Sequence, residues 1–195
     1  MKKIIILCGA AGTGKTTVQT YLQTRFNLAR VVTHTTRLPR KGEVNGRDYY
    51  FETPASMAKL HLLEKVEYDH HQYGSSKEGL ERALADHPGA VIVLDTKGAT
   101  TYQQVLGEQV VVVFLTVSPS TDLGHRLANR GDDPAKIHSR LTSAEFQRDL
   151  SLPMALQGKA VVINNDDWEQ TKRRLDQLMV SVLSSKGGAD LWTML

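Results

Sequence analysis

Residues 9 to 16 read Gly9-Ala10-Ala11-Gly12-Thr13-Gly14-Lys15-Thr16 and follow directly on the apolar run Ile4-Ile5-Ile6-Leu7-Cys8. Glycines at these spacings let the backbone curl until several amide N–H groups point at one set of phosphate oxygens. A helix opening behind the loop, at Thr17-Val18, adds its positive end to the same place. In a Gly-x4-Gly-Lys-Thr loop the lysine reaches the β- and γ-phosphates and the threonine hydroxyl reaches Mg²⁺. The chemistry this segment can do is therefore to hold a nucleoside triphosphate, with Lys15 and Thr16 at its reactive end.

A second phosphate-binding pattern lies at Thr35-Thr36-Arg37-Leu38-Pro39-Arg40-Lys41-Gly42-Glu43, where two arginines stand three apart with a proline between them. Guanidinium forks bind phosphate oxygens in pairs and keep their charge at any working pH. A solvated basic loop would have the same composition. Tyr49 and Tyr73 offer hydroxyl donors within the same stretch of chain. Farther on, Asp95 ends the apolar run Val91-Ile92-Val93-Leu94, a place where a carboxylate can hold a Mg²⁺-bound water opposite the loop.

Such groups need a rigid frame, and the hydrophobic pattern supplies one. Besides residues 4 to 8, apolar β-branched runs occur at Val31-Val32-Thr33, at Val91-Ile92-Val93-Leu94, from Val110 to Val117 and at Ala160-Val161-Val162-Ile163. Continuous apolar runs suit strands buried on both faces. Helical patterns at Ser76–His87, Ser118–Arg130, Pro134–Leu156 and Asp167–Leu183 alternate with most of them. This alternation predicts an α/β fold with a five-stranded parallel sheet and helices on both faces. Residues 34 to 75 break the rhythm with a polar loop, an aromatic strand at Tyr49-Tyr50-Phe51, a helix opening at Thr53-Pro54 and a strand over Glu64–Asp69, and so read as an inserted α+β region. The core then comprises 1–33, 76–129 and 141–183. Residues 130 to 140 begin with Arg130-Gly131-Asp132-Asp133-Pro134, a run of helix breakers suited to a moving flap, and residues 184 to 195 read as a flexible tail.

Composition narrows the function classes. The chain has 195 residues, 24 Lys and Arg against 21 Asp and Glu, and a formal charge of +3 with no basic block. The surplus is too small to argue for nucleic acid. A single cysteine, Cys8, excludes an intrachain disulfide and suits a reducing, cytoplasmic setting, and Cys8 itself reads as a small buried thiol. No run approaches the ~20 apolar residues of a membrane span. Expected partners are small-molecule nucleotides, with the chain a monomer or a homodimer.

Beyond these patterns, the stretch from Thr33 through Arg37, Arg40, Glu43, Gly46 and Tyr49 to Phe51 closely resembles the acceptor segment of guanylate kinases. The spacing from Glu64 to Tyr73-Gly74-Ser75, the pairs Arg126-Leu127, Arg130-Gly131 and Arg140-Leu141, and Val162-Ile163-Asn164-Asn165-Asp166-Asp167 extend the likeness over about residues 3 to 180. The resemblance implies a P-loop core binding ATP and Mg²⁺, a GMP-binding insertion and an arginine-bearing lid. ATP would be held by the loop from Gly9 to Thr17, with Asn165 beside its base. Arg37, Arg40, Tyr49 and Tyr73 would hold the GMP phosphate, while Thr33, Glu64 and Ser75 would hold guanine. Lys15, Arg37, Arg126, Arg130 and Arg140 would neutralise charge during transfer. The chemistry agrees, since guanine presents N1–H and N2–H as adjacent donors that one carboxylate can accept together.

The sequence also departs from the family. Guanylate kinases usually show Leu-Asp-x-Asp-x-Gln-Gly after the third core strand, whereas this chain reads Leu94-Asp95-Thr96-Lys97-Gly98-Ala99, two residues shorter and without the second aspartate. Thr33 stands where a serine is usual, and the lid is one residue short. An altered acceptor, such as another nucleoside monophosphate or a phosphorylated sugar, and a binding module without turnover are therefore the competing readings.

Overall fold

The computed structural model describes residues 1–40, 42–68, 71–119, 122–129 and 134–184. In chain order the elements are β1 (Lys3–Cys8), α1 (Lys15–Phe26), β2 (Ala29–Arg30), β3 (His34–Thr35), β4 (Tyr50–Phe51), α2 (Pro54–Met57), β5 (Leu62–Tyr68), β6 (His71–Ser76) and α3 (Lys77–Ala85). They continue with β7 (Gly89–Val93), α4 (Thr96–Leu106), β8 (Val110–Thr116), α5 (Leu123–Asn129), α6 (Pro134–Leu141), α7 (Ala144–Asp149), β9 (Ala160–Asn164) and α8 (Trp168–Ser184).

Five strands form one sheet in the order β2-β7-β1-β8-β9, with every pairing parallel. Strand β1 lies at its centre, with Ile6 opposite both Ile92 and Val112. Because side chains alternate along a strand, β1 splits its residues between two cores. Ile5 and Leu7 pack with Val18 and Leu22 of α1 and with Leu175, Leu178 and Met179 of α8. Ile4, Ile6 and Cys8 face the other way, toward Leu80 of α3 and Ala99 and Tyr102 of α4. This double burial is why the strand reads as a continuous apolar run, and it fixes the strand end from which the loop at Gly9 departs. Cys8 is fully buried, with its thiol donating weakly to the Val113 carbonyl at 3.8 Å and its pKa pushed up to about 12, mainly by burial.

The second sheet has the order β4-β3-β6-β5 and is built entirely from residues 34 to 76. Strand β3 runs parallel to β4 and antiparallel to β6, which pairs antiparallel with β5. Helix α2 starts as its sequence suggests: Thr53 accepts from the Ser56 N–H, Ser56 Oγ accepts from the Thr53 N–H, and Pro54 takes the first turn. The hinge back to the core is β6 running into α3, whose N-cap is Ser76.

Three sequence expectations are corrected. The edge strand is Ala29–Arg30, not residues 31 to 33; Val31 adds one bond to the Val91 carbonyl and the chain then turns away. Val31 is apolar because it is buried, not because it sits in a strand. The single helix expected over 134 to 156 is interrupted after Leu141, where Ser143 takes an extended conformation and caps α7. A final helical turn at Met154–Leu156 follows Pro153. Helix α4 is absent from the helical patterns read in the sequence, since its three threonines and one glycine weaken its intrinsic propensity; it is held by the Asp95 cap and by burial of Ala99 and Tyr102. Among the described residues, no helix is long and apolar enough to cross a membrane. Residues 130 to 133 of the expected lid, with Arg130, and residues 185 to 195 of the expected tail lie outside the described residues.

Candidate active site

The loop leaves β1 through Gly9, whose φ of 123° is left-handed, and a Cβ there would strike the Leu115 carbonyl. At its other end Gly14, with φ 92°, opens α1, and a Cβ there would collide with the Asn165 amide. Both positions require glycine for close approach as well as for conformation. Inside the loop, the Thr13 hydroxyl donates to the Ala10 carbonyl at 2.9 Å, and Asn165 Nδ2 donates to the Thr13 carbonyl at 2.8 Å. Lys15 Nζ donates to the carbonyls of Gly9 and Ala10 at 2.6 and 2.7 Å, so the lysine is folded along the loop that precedes it.

This loop borders a cavity of about 1060 Å³. Ala11, Gly12, Gly14, Lys15, Thr16 and Thr17 form one wall, and Arg126, Arg140, Asn165 and Tyr49 join them from elsewhere in the chain. Arg126, on α5, donates through both terminal nitrogens to the Asn165 carbonyl at 3.3 Å each and stands 3.7 Å from Asp166. Arg140, on α6, reaches the same space one helix later. Asn165 is nearly buried with its amide committed to the loop carbonyl, so its side chain braces the loop.

The second sheet assembles the other set. Arg37 forks onto Glu43, at 3.0 and 2.9 Å, and its guanidinium lies over the rings of Tyr49 and Phe51. Hydrogen bonding to Glu43 raises the Arg37 pKa above its ordinary value, with Tyr73 contributing, and the same bond lowers that of Glu43. Tyr49 and Tyr73 meet edge to face with centroids 6.2 Å apart. The Arg40 side chain is exposed, and its backbone N–H donates to Glu43 at 2.7 Å. The backbone carbonyl of Thr33, just before β3, accepts from the Tyr50 N–H at 2.9 Å.

Glu64 and Ser75 are register partners on β5 and β6, beside an irregularity between Leu62 and Glu64. The Ser75 hydroxyl donates to Glu64 Oε1 at 3.0 Å, and the Tyr102 hydroxyl donates to Ser75 Oγ at 2.8 Å. Burial is the main cause that lifts the Glu64 carboxyl to about 7; the Ser75 bond opposes it and the charge of Asp95 adds to it. Asp95 itself is held at both oxygens: Oδ1 accepts from the Gly98 N–H at 2.7 Å and Oδ2 accepts from Arg148 at 2.7 Å. Arg148 also donates to Asp149 at 2.9 Å, and Asp149 accepts from the Thr96 hydroxyl at 2.6 Å. Among the described residues, no three His, Cys, Asp or Glu side chains cluster as a metal site.

The geometry thus gathers the loop residues with Arg126, Arg140 and Asn165; Tyr73, Glu64 and Ser75 lie on the small sheet, with Arg37 and Tyr49 in the connection between its strands β3 and β4. Tyr49 connects the two, since it touches Arg37 and also lines the loop cavity. Sequence reasoning gave no role to Glu43, Tyr102, Arg148 or Asp149. Glu43 had a signal, an acid six residues after Arg37 in a loop with two arginines. Tyr102 and Arg148 had none, because their partners lie 27 and 53 residues away.

A guanylate kinase family model matches residues 1 to 182. The guanylate kinase of Deinococcus radiodurans is 31% identical over 97% of this chain and 80% of its own length. That of a Thermus thermophilus strain is 37% identical over 150 residues, 74% of this chain and 68% of its own. The crystal structure of guanylate kinase from Anaplasma phagocytophilum superposes with a TM-score of 0.62 at 23% identity, covering 94% of this chain and 87% of that one, which speaks for a shared fold. With a glycine loop whose cavity also takes in Arg126, Arg140 and Tyr49, and with a family match along nearly the whole described chain, this protein belongs to the guanylate kinase family of nucleoside monophosphate kinases.

Proposed function

We propose that the chain transfers the γ-phosphoryl group of ATP to GMP, and to dGMP, giving GDP by in-line displacement. The observation that supports guanine is Glu64: a largely buried carboxylate with, among the described residues, no lysine or arginine acting on it, fixed by Ser75 at the edge of the small sheet. As a carboxylate it accepts N1–H and N2–H together. Adenine would set a lone pair against one of its oxygens, and a buried mismatch of this kind rejects the wrong base by ~10⁴-fold.

Residues 34 to 75 then form the acceptor insertion, with Arg37, Arg40, Tyr49 and Tyr73 on the GMP phosphate and Thr33 and Ser75 beside Glu64 on guanine. In this reading a phosphate takes the place of the Glu43 carboxylate on Arg37, since either anion offers two oxygens to the same fork. ATP lies along Gly9 to Thr17 with Asn165 near its base. Phosphoryl transfer needs two phosphates held in line and their charge neutralised, with no protein nucleophile. Lys15, Arg37, Arg126 and Arg140 supply that charge, together with Arg130 from outside the described residues. Closure of residues 130 to 140 excludes water, the competing acceptor.

The residues present suit Mg²⁺. Thr16 lines the cavity beside Lys15, and among the described residues each Asp95 oxygen takes a single donor, leaving lone pairs for a metal-bound water. Thr16 would hold the ion directly and Asp95 through water, and the ion would neutralise charge on the β- and γ-phosphates.

A steady-state panel of GMP, dGMP, AMP, CMP and UMP with ATP tests the reading. GMP and dGMP should lead by orders of magnitude in kcat/KM, and ADP formation with GMP no faster than without acceptor would sink it.

A further inference from the structure

The Ser75 hydroxyl carries one proton and two lone pairs, and its direction decides what Glu64 presents to a base. Its lone pair is taken by the Tyr102 hydroxyl at 2.8 Å, and its proton goes to Glu64 at 3.0 Å. Ser75 and Tyr102 are both fully buried, so solvent cannot replace either bond. Burial also raises the pKa of the Tyr102 phenol, which keeps it a protonated donor at any working pH. Tyr102 lies on α4, the helix that opens at the shortened Asp95–Gly98 segment, and its ring is packed in the core beside Ile4, Ile6 and Ala99.

We propose that Tyr102 is a specificity-determining positioning residue, which commits the Ser75 proton to Glu64 and so favours its ionised form, the two-point acceptor for the base. A hydroxyl that receives a bond donates more strongly, so the chain Tyr102 to Ser75 to Glu64 is cooperative. That donation works against two influences favouring the protonated acid. One is burial, and the other is Asp95 at the start of α4. The groups acting on Glu64 are thus Ser75 from β6, with Tyr102 of α4 behind it, and Asp95 from the turn before α4. Without Tyr102, Ser75 is left with an unpaired buried lone pair and a proton free to turn. Glu64 then holds its own proton to a higher pH, and a protonated acid cannot accept from two donors.

The inference rests on Glu64 reading guanine. Its test is Tyr102→Phe, which removes the hydroxyl and keeps the ring in the core. KM for GMP at pH 7 should rise about 3- to 10-fold, the size of one lost hydrogen bond. kcat and KM for ATP should stay the same, the GMP over AMP preference should fall by the same factor, and the pH midpoint of KM for GMP should move up. In a Ser75→Ala background the Tyr102→Phe substitution should add nothing, because the relay is already cut. Wild-type protein that prefers GMP, with a Tyr102→Phe variant unchanged in KM and pH midpoint, overturns this proposal alone. An effect that persists in full on Ser75→Ala, or that falls equally on ATP, also overturns it by showing a general packing role. Wild-type protein without a GMP preference overturns the reading of Glu64 and this proposal with it.

Discussion

In the proposed reading the two halves of the site are built from different material. The donor half is backbone: Gly9, Gly12 and Gly14 in left-handed conformations, anchored at the end of a strand buried on both sides. The acceptor half is side chain: Arg37 on Glu43, Ser75 on Glu64, Tyr102 on Ser75, drawn from β5, β6, α4 and the loop between β3 and β4. A backbone cradle binds any triphosphate, because amides point at phosphates whatever the base. Selectivity between bases falls to the half whose side chains pair donor with acceptor, and whose geometry many separate contacts must hold.

Cutting each half at one residue should expose that contrast. In the proposed reading Lys15→Ala removes a cation from the transferred group and should lower kcat by about 10³-fold with every acceptor alike, as expected when a charge that stabilises the transition state is lost. Steady-state rates with GMP and AMP check it, and a loss confined to GMP would contradict the division. Glu64→Gln should act in the opposite fashion. Its amide sets a donor against one of the guanine N–H groups, so kcat/KM for GMP should fall about 10²-fold while AMP is unaffected or improved. The same substitution should stabilise the protein at pH 8 by about 3 kcal/mol. The folded-state pKa of Glu64, about 7, exceeds its ordinary 4.5, so the folded protein binds more protons than the unfolded chain between those values and loses stability as pH rises through that window. Removing the carboxylate abolishes this loss. Thermal melts of both proteins should differ more at pH 8 than at pH 5.

The contrast also explains what the sequence made legible. The loop is eight contiguous residues, and the strand before it is an unbroken apolar run, so local spacing carries both. The parallel sheet follows from the same signal: strands covered on two faces have no polar alternation to confuse with helix. Arg37 and Arg40 were visible as a pair in one loop, yet only Arg37 is held in a fork, because the acid that holds it, Glu43, is an ordinary loop residue by composition. Tyr102, Arg148 and Asp149 were invisible, since their roles depend on α4 meeting β6 and α7 in space. Helix α4 itself escaped notice because tertiary burial, not propensity, stabilises it. The end of α6 was likewise set by one serine cap against a continuous helical pattern.

Smaller than either of these effects is the dependence of base choice on pH. With Glu64 half protonated near pH 7, lowering the pH to 6 leaves about a tenth of it ionised, so kcat/KM for GMP should fall about 10-fold between pH 8 and pH 6. AMP should lose less. A protonated carboxyl can donate to adenine N1 while accepting from N6–H, which inverts the complementarity that selects guanine. The GMP to AMP ratio measured from pH 6 to pH 8 reads this directly, and a flat ratio would separate selectivity from the ionisation of Glu64.

The smallest expected effect concerns the place where the halves touch. Arg148 carries α7 onto the start of α4, donating at once to Asp95 and Asp149, with Thr96 completing the cluster. The cluster faces both sites, for Asp95 acts on Glu64 on one side, and on the other Asp149, Lys15 and Asp95 all act on Cys8 beneath the loop. Arg148→Met keeps most of the aliphatic stem and removes the charge. Asp149 is nearly buried, so its loss of a partner costs stability, but Arg148 is partly open to solvent, which limits the cost to about 1 kcal/mol, or a fall of ~2–4 °C in Tm. The sharper readout is electrostatic. With Asp95 no longer neutralised, its charge bears more heavily on Glu64, and the pH midpoint for GMP should rise while KM for ATP stays within about 2-fold. An equal shift on the ATP side would mean that Arg148 serves the loop as much as the acceptor pocket, and that the two halves are electrostatically one site.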